Sequence, residues 1–124
     1  MVVVTNQSGI ARGLLTEQDY ERVRMRVDKL LAAEGARVDA TYHCPHHPDF
    51  GEACECRKPG TLLYRQAIEA HDLDPVRSWF VGDRLRDVQP GAALGGSGIL
   101  LRVESTPPAD IENAGSFPMV DSLA

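Results

Sequence analysis

Hydrophobic positions along the chain follow two patterns, short apolar runs and longer stretches with helical spacing. The chain opens on the β-branched run Val2–Val4, which is typical of a strand buried in a parallel sheet. Thr16–Asp19 has the Ser/Thr-x-x-acid form that begins a helix. Apolar residues then recur at helical spacing, namely Tyr20, Val23, Val27, Leu30 and Leu31. Gly35 is placed to end this predicted helix.

The rest of the chain continues the alternation of strands and helices. A second helix is predicted from Pro59-Gly60 to about His71, and a brief third one over about 85–94. Pro90 could fall in the first turn of the third helix if the regular part of that helix begins near Val88. The remaining predicted elements are strands at 38–42, 79–81 and 99–103, a helical turn within 107–114 and an edge strand at 117–120.

Strands that alternate with helices predict an α/β fold with a mostly parallel sheet in a three-layer sandwich. The length of 124 residues predicts one domain over 1–124. Within that domain, residues 44–58 are predicted to form a metal-binding loop.

Composition narrows the class of protein further. The chain is 43% hydrophobic and 25% charged, which is ordinary for a globular protein. It contains no long apolar run and no secretory-signal pattern, so we expect a cytoplasmic protein without a membrane segment. The net charge of -5 argues against a nucleic-acid partner. Small basic groups suit a small anionic ligand instead, and we expect a monomer.

Three cysteines and two histidines lie close together in the segment from Cys44 to Cys56. Thiolates and imidazoles at C-x-H and C-x-C spacing can converge on one tetrahedral ion, and zinc is the expected metal. A redox-active pair and inert buried thiols are the two alternatives. Four protein ligands would make the site structural and closed. The predicted ligands are Cys44, His46, Cys54 and Cys56, with His47 as the competitor of His46; His43 and His47 are expected to face solvent or a substrate.

Reactive groups also follow three of the predicted strands or loops, at Thr5-Asn6, Arg57-Lys58 and Asp83. In open α/β sheets, ligands bind beyond the carboxyl ends of the strands. A hydroxyl and an ammonium can contact phosphate oxygens, and an Arg can bind a second anionic group. Asp83 in Gly-Asp-x-x-x-Asp offers the carboxylate oxygens that Mg²⁺ prefers.

The order of these motifs resembles the haloacid-dehalogenase (HAD)-like phosphatases, in particular the D,D-heptose 1,7-bisphosphate phosphatases, with the histidinol-phosphatases next. The segments that carry the resemblance are Val2–Gly13, Cys44–Pro48, Cys54–Pro59 and Val81–Asp83. The resemblance implies a Mg²⁺-dependent phosphomonoesterase that acts on a sugar bisphosphate through an aspartyl-phosphate.

The resemblance also implies roles for individual residues. Thr5 would bind the transferring phosphoryl group, and Lys58 would stabilise its charge; these two are the predicted catalytic residues. Asp83 would bind Mg²⁺, and Asp87 would orient Lys58 or a metal-bound water. The residues expected to contact the substrate are Thr5, Asn6, Arg57, Lys58 and Arg84.

One family motif has no counterpart at the expected place. The nucleophile motif Asp-x-Asp belongs on a strand upstream of the Thr5 strand, central in the sheet, and the Asp-x-Asp at Asp72–Asp74 precedes a proline and is interpreted as a turn. We therefore expect that Met1 is an internal methionine or a misassigned start of a longer protein, and that this chain alone is inactive. The alternatives in function are histidinol-phosphate hydrolysis and a noncatalytic, zinc-stabilised module that binds a sugar phosphate or a protein.

Overall fold

Strands and helices alternate in the computed structural model, which describes residues 1–124. The strands are β1 (Val2–Asn6), β2 (Ala40–Cys44), β3 (Trp79–Gly82), β4 (Ser97–Leu101) and β5 (Met119–Val120). The helices are α1 (Glu17–Ala33), α2 (Leu62–His71), α3 (Leu85–Ala93) and α4 (Pro108–Glu112), with a 3₁₀ turn at Pro75–Arg77. Every strand pair is parallel, so the predicted α/β class is confirmed. No helix combines the length and apolar character needed to cross a bilayer.

The strands form two separate sheets. β1 pairs with β2, whereas β3, β4 and β5 form a second sheet in that order. The chain divides into two compact units, Met1–Ala67 and Ile68–Ala124, with the boundary inside α2. The single domain expected over 1–124 stays a prediction.

The first unit is organised by the register of β1 on β2. Asn6 lies opposite Cys44, at the carboxyl ends of both strands. The Met1 carbonyl accepts a hydrogen bond from the Asp39 N–H, and the Gln7 N–H donates one to the Cys44 carbonyl. The backbone N–H and C=O groups of odd-numbered residues along β1 therefore point towards β2. Because backbone groups alternate along a strand, the carbonyl of Val4 faces the opposite edge.

The core of the first unit contains the cysteine cluster. Cys44, Cys56 and Leu63 are buried together, and Cys44 has no solvent exposure. Val4 and Tyr42 from the two strands pack against them. The loop after β2 is therefore part of the core of this unit, not an appendage on its surface.

Helix α1 begins as the sequence predicts. Thr16 is the N-cap: its hydroxyl accepts from the Asp19 N–H at 3.1 Å, and the Asp19 carboxylate accepts from the Thr16 N–H at 2.9 Å. The apolar face is only partly covered, however, since Tyr20 is buried while Val23 and Leu30 are 60% and 50% exposed. The helix packs instead on a side that includes the half-buried Arg24 and Asp28, which the helical spacing of apolar residues did not predict.

The second unit is built on close contacts between glycines and aromatic rings. Val88 of α3 and Leu100 of β4 are fully buried. A Cβ atom at Gly91 would lie 2.6 Å from the ring of Phe80, so the glycine lets α3 approach β3 closely. A Cβ atom at Gly98 would similarly lie 2.8 Å from the ring of Phe117.

Helix α3 begins where the sequence predicts, but Pro90 does not fall in its first turn. Its regular part already begins at Leu85, so Pro90 lies inside the helix. The reason is the cap: the Asp87 carboxylate accepts from the Arg84 N–H at 3.0 Å and fixes the first turn of the helix at Leu85. Proline has no N–H, so its place inside the helix removes one ladder hydrogen bond.

We predict that Thr16→Ala lowers the free energy of unfolding by about 1 kcal/mol, because the first turn of α1 loses its side-chain cap. Urea denaturation followed by circular dichroism measures the change. Ser116→Ala, on an exposed loop, is the matched control and should leave the midpoint unchanged. Equal midpoints for both variants would contradict the role of the capping box.

Candidate functional site

The structure brings together the four residues predicted to bind a metal. One ligand atom from each of Cys44, His46, Cys54 and Cys56 lies within 4.8 Å of the others. The Cys44 Sγ atom is 3.7 Å from Cys54 Sγ and 3.5 Å from His46 Nδ1. Cys56 Sγ is 2.8 Å from Cys44 Sγ and 3.1 Å from His46 Nδ1.

These distances can be compared with a tetrahedral zinc site. Zinc–sulfur and zinc–nitrogen bonds of about 2.3 and 2.0 Å imply S···S edges of roughly 3.8 Å and S···N edges of roughly 3.5 Å. The two contacts of Cys44 with Cys54 and His46 match those edges. The two contacts of Cys56 are shorter, so this thiol would move outward by less than about 1 Å around an ion. The donor set and its compactness fit zinc.

The two other nearby histidines have different partners. His47 Nδ1 accepts from the Asp49 N–H at 3.1 Å, and its ring lies against Phe50, outside the cluster. His43 does not simply face solvent or a substrate as expected. Its Nε2 atom is 2.8 Å from a Glu17 carboxylate oxygen, and its ring lies 4.3 Å from that of Tyr20. His43 therefore joins β2 to α1.

The thiols of the cluster differ in acidity. Burial opposes ionisation of Cys54, but hydrogen bonds from the Arg57 backbone and from the neighbouring thiols prevail and lower its pKa to about 7. Burial, together with the adjacent Cys44 and Cys54, raises the pKa of Cys56 to about 12. A metal-binding cysteine acts as a thiolate, and a cation near the cluster would favour that form at both positions.

Lys58 lies against the end of β1. Its ammonium donates to the Val4 carbonyl at 2.8 Å, on the edge of β1 that faces away from β2. The carboxamide of Asn6 contacts the backbone of Lys58 on both sides: Oδ1 accepts from its N–H at 3.0 Å, and Nδ2 donates to its carbonyl at 3.5 Å. The predicted phosphate-binding lysine is thus placed next to Thr5, the residue after Val4.

The other predicted residues of the first unit also have defined contacts. The Thr5 hydroxyl accepts from the Gln7 side chain at 3.0 Å, and a hydroxyl that accepts one bond can still donate another. Arg57 donates to the His46 carbonyl at 3.2 Å, so its guanidinium lies along the cysteine loop.

The predicted residues of the second unit surround the turn between β3 and α3. Asp83 is half-buried, and its carboxylate accepts from the Ser105 hydroxyl at 3.4 Å. Asp87 is buried, with 8% exposure, and packs so closely on Gly82 that a Cβ atom there would lie 2.2 Å from Asp87 Cβ. The expectation that Thr5, Lys58 and Asp83 serve one pocket stays a prediction.

Two residues that position parts of the site were not predicted from the sequence. Asp110 of α4 accepts from the Leu85 N–H at 2.9 Å and so caps the start of α3 from a distant segment. Gln7 orients Thr5. Local spacing carries no signal for the Asp110 contact, because the two residues are 25 positions apart.

The Asp-x-Asp at Asp72–Asp74 has the geometry of a turn. Asp72 has a positive φ of 48°, and the Asp74 carboxylate accepts from the Val76 N–H at 3.0 Å. These residues follow α2 and precede the 3₁₀ turn. They do not stand at the carboxyl end of a strand, where the family places its nucleophile.

Comparisons with known proteins identify the family of the chain. The HAD-hydrolase-like family model matches residues 55–124. The chain is 40% identical over 130 residues to the D-glycero-β-D-manno-heptose-1,7-bisphosphate 7-phosphatase of Salmonella typhi and 38% identical to that of Escherichia coli K12. These alignments cover the whole chain and 69% and 68% of the two relatives. The chain belongs to the HAD-like hydrolase family.

A solved structure gives the same result at the level of the fold. The D,D-heptose 1,7-bisphosphate phosphatase of B. bronchiseptica, complexed with magnesium and phosphate, superposes with a TM-score of 0.88 at 34% identity. The match covers 99% of this chain and 69% of that one. The relatives in this group are phosphoric monoester hydrolases, and the recognition made from the motifs is confirmed.

We predict that Gly82→Ala destabilises the protein by about 1–3 kcal/mol, because the added methyl group overlaps the buried side chain of Asp87. Chemical denaturation measures the loss. Asp83→Asn, which keeps the side-chain shape next door, is the control and should change stability by less than about 0.5 kcal/mol. A wild-type midpoint for Gly82→Ala would show that the turn can open without cost.

Proposed function

We propose that the chain is the phosphate- and metal-binding part of a Mg²⁺-dependent phosphatase whose substrate is D-glycero-D-manno-heptose 1,7-bisphosphate. The observation that carries the proposal is the hydrogen bond from the Lys58 ammonium to the carbonyl of Val4, the residue before Thr5 in β1, in a chain of this family. An ammonium and a hydroxyl at the carboxyl end of a parallel strand are suited to a phosphoryl group. The substrate is inferred from the relatives, which are heptose bisphosphate phosphatases.

Each residue of the first unit has a separate role in this proposal. Thr5 donates its hydroxyl proton to a phosphoryl oxygen. Lys58 neutralises the negative charge that the phosphoryl group carries during transfer. Arg57 binds a second anionic or hydroxyl group of the sugar phosphate, and the flat guanidinium suits such bidentate contacts.

Asp83 and its neighbours in the second unit supply the metal-binding chemistry. The proposed Mg²⁺ ligand is Asp83, since a carboxylate after a strand is the donor that Mg²⁺ takes together with phosphate. When bound, Mg²⁺ would neutralise phosphoryl charge. Asp87, through its bond to the Arg84 N–H, holds the turn in which Asp83 and Arg84 lie. Arg84 is proposed as a further substrate contact.

The cysteine cluster is proposed to bind structural zinc. Four protein donors leave no open position for a substrate, so the ion would take no part in the reaction. Its contribution would be to fix the 44–58 loop, which ends at Arg57 and Lys58. The support is the compact Cys₃His donor set in the core of the first unit.

Turnover is proposed to require a nucleophile segment that the 124 residues do not contain. The Asp-x-Asp at Asp72–Asp74 is a turn, and no other is present. The same observation favours a second candidate function, a sugar-phosphate binding module without catalysis. We place the protein in the cytoplasm, because its three cysteines form no disulfide. The partner is a small anionic sugar, as the net charge of -5 disfavours nucleic acid.

Metal analysis tests the zinc proposal. The purified chain is expected to contain about one equivalent of zinc, and Cys54→Ser should reduce this below about half an equivalent while also lowering stability. His47→Ala is the matched control, because His47 contacts Asp49 and Phe50 and lies outside the cluster. A folded wild-type protein without zinc would overturn the proposal.

Phosphate release from the heptose bisphosphate tests the phosphatase proposal. The 124-residue chain alone should release none above background. A chimera that adds, upstream, the Asp-x-Asp segment of the Salmonella typhi relative should be active with Mg²⁺. In that chimera Lys58→Met should lower kcat by about a hundredfold, because phosphoryl charge loses its cationic partner. Lys29→Met on the exposed face of α1 is the control.

Three outcomes would contradict parts of this proposal. Full activity of the 124-residue chain would show that the nucleophile lies within it. A folded, metal-loaded chimera without activity would favour the binding module. Faster hydrolysis of histidinol phosphate, offered in competition, would replace the heptose substrate.

A further inference from the structure

We propose that Asn6 is a positioning residue for Lys58 and not a direct contact of the substrate. The inference deepens the proposed function, on which it rests for the role of Lys58. It departs from the expectation that Asn6 binds the substrate. The reason is that both polar groups of its carboxamide contact the Lys58 backbone.

The geometry is that of a small clamp, formed by the Asn6 carboxamide and the Lys58 peptide groups. Asn6 Oδ1 accepts from the Lys58 N–H at 3.0 Å, and Asn6 Nδ2 reaches the Lys58 carbonyl at 3.5 Å. The two residues are 52 positions apart, so the contact is tertiary. It is also partly buried, which makes an unmade hydrogen bond more costly than at the surface.

The clamp and the ammonium contact act on opposite ends of the same residue. Asn6 fixes the backbone of Lys58, while the Val4 carbonyl accepts from its Nζ atom at 2.8 Å. Both anchors belong to β1, which is held in register by β2. An ammonium has three N–H donors and can contact a carbonyl and a phosphate at once. Fixing both ends of a long, flexible side chain removes freedom that phosphate binding would otherwise have to restrict.

The composition of the chain allows a clean experiment. It contains two lysines, Lys29 and Lys58, and two asparagines, Asn6 and Asn113. In protein made with ¹³C-labelled lysine, Lys29 on the exposed side of α1 is an internal reference. Asn113→Ala is the matched control, since Asn113 contacts only its own helix at Ala109.

Asn6→Ala should shift the Lys58 side-chain resonance in the absence of any ligand and leave that of Lys29 unchanged. Titration with inorganic phosphate should then give a dissociation constant about five-fold or more higher than in the wild type, as expected for loss of about 1 kcal/mol of positioning. Asn113→Ala should change neither quantity. A direct substrate contact would raise the dissociation constant without moving the ligand-free Lys58 resonance, and that result would overturn the proposal.

A measurement on the unaltered protein covers the case in which Asn6→Ala fails to fold. The Lys58 amide should be protected from hydrogen exchange, because its N–H is bonded to Asn6. Exchange at the rate of an unstructured peptide would show that the clamp does not form. If phosphate leaves the wild-type Lys58 resonance unmoved, the phosphate site itself is wrong, while the ligand-free shift and the amide protection still decide the clamp.

Discussion

The parallel register of β1 on β2 is the constraint on which the site of the first unit depends. It sets Asn6 directly opposite Cys44. Cys44 begins the cysteine loop, and Asn6 holds Lys58 at its end. The two ends of the 44–58 loop are therefore both fixed at the pair formed by Asn6 and Cys44. A slip of one residue would turn every side chain of β1 to the other face, and it would separate the two anchors.

The second constraint is that the cysteine cluster is also part of the hydrophobic core of this unit. Cys44 and Cys56 are buried beside Leu63 and pack against Val4 and Tyr42. In a unit of 67 residues such a core is small. A substitution that destabilises this core is therefore expected to disturb the geometry of the site as well. Any change that loosens the thiols would also release the loop that leads to Arg57 and Lys58.

Most of the fold and the cysteine cluster could be predicted from the sequence, because the patterns that indicate them are local. The capping box at Thr16 and the C-x-H and C-x-C spacings each lie within a few residues, and the structure contains α1 and the four-residue cluster as predicted. Tertiary contacts between distant segments could not be predicted from the sequence. The clamp on Lys58 and the cap from Asp110 join segments 52 and 25 positions apart. The start of α3 was predicted, but Pro90 lies inside the helix and not in its first turn, because the cap formed by Asp87 begins the regular helix at Leu85.

The contact between Lys58 and Val4 has a consequence for solubility. β1 is rich in valine and pairs with a neighbour on one side only, and such edges recruit strands from other molecules. Native proteins often block them with a charged side chain, lysine above all. The ammonium on the Val4 carbonyl occupies that edge. In the 124-residue chain, a neutral replacement of this lysine would therefore remove a charge that opposes edge-to-edge association.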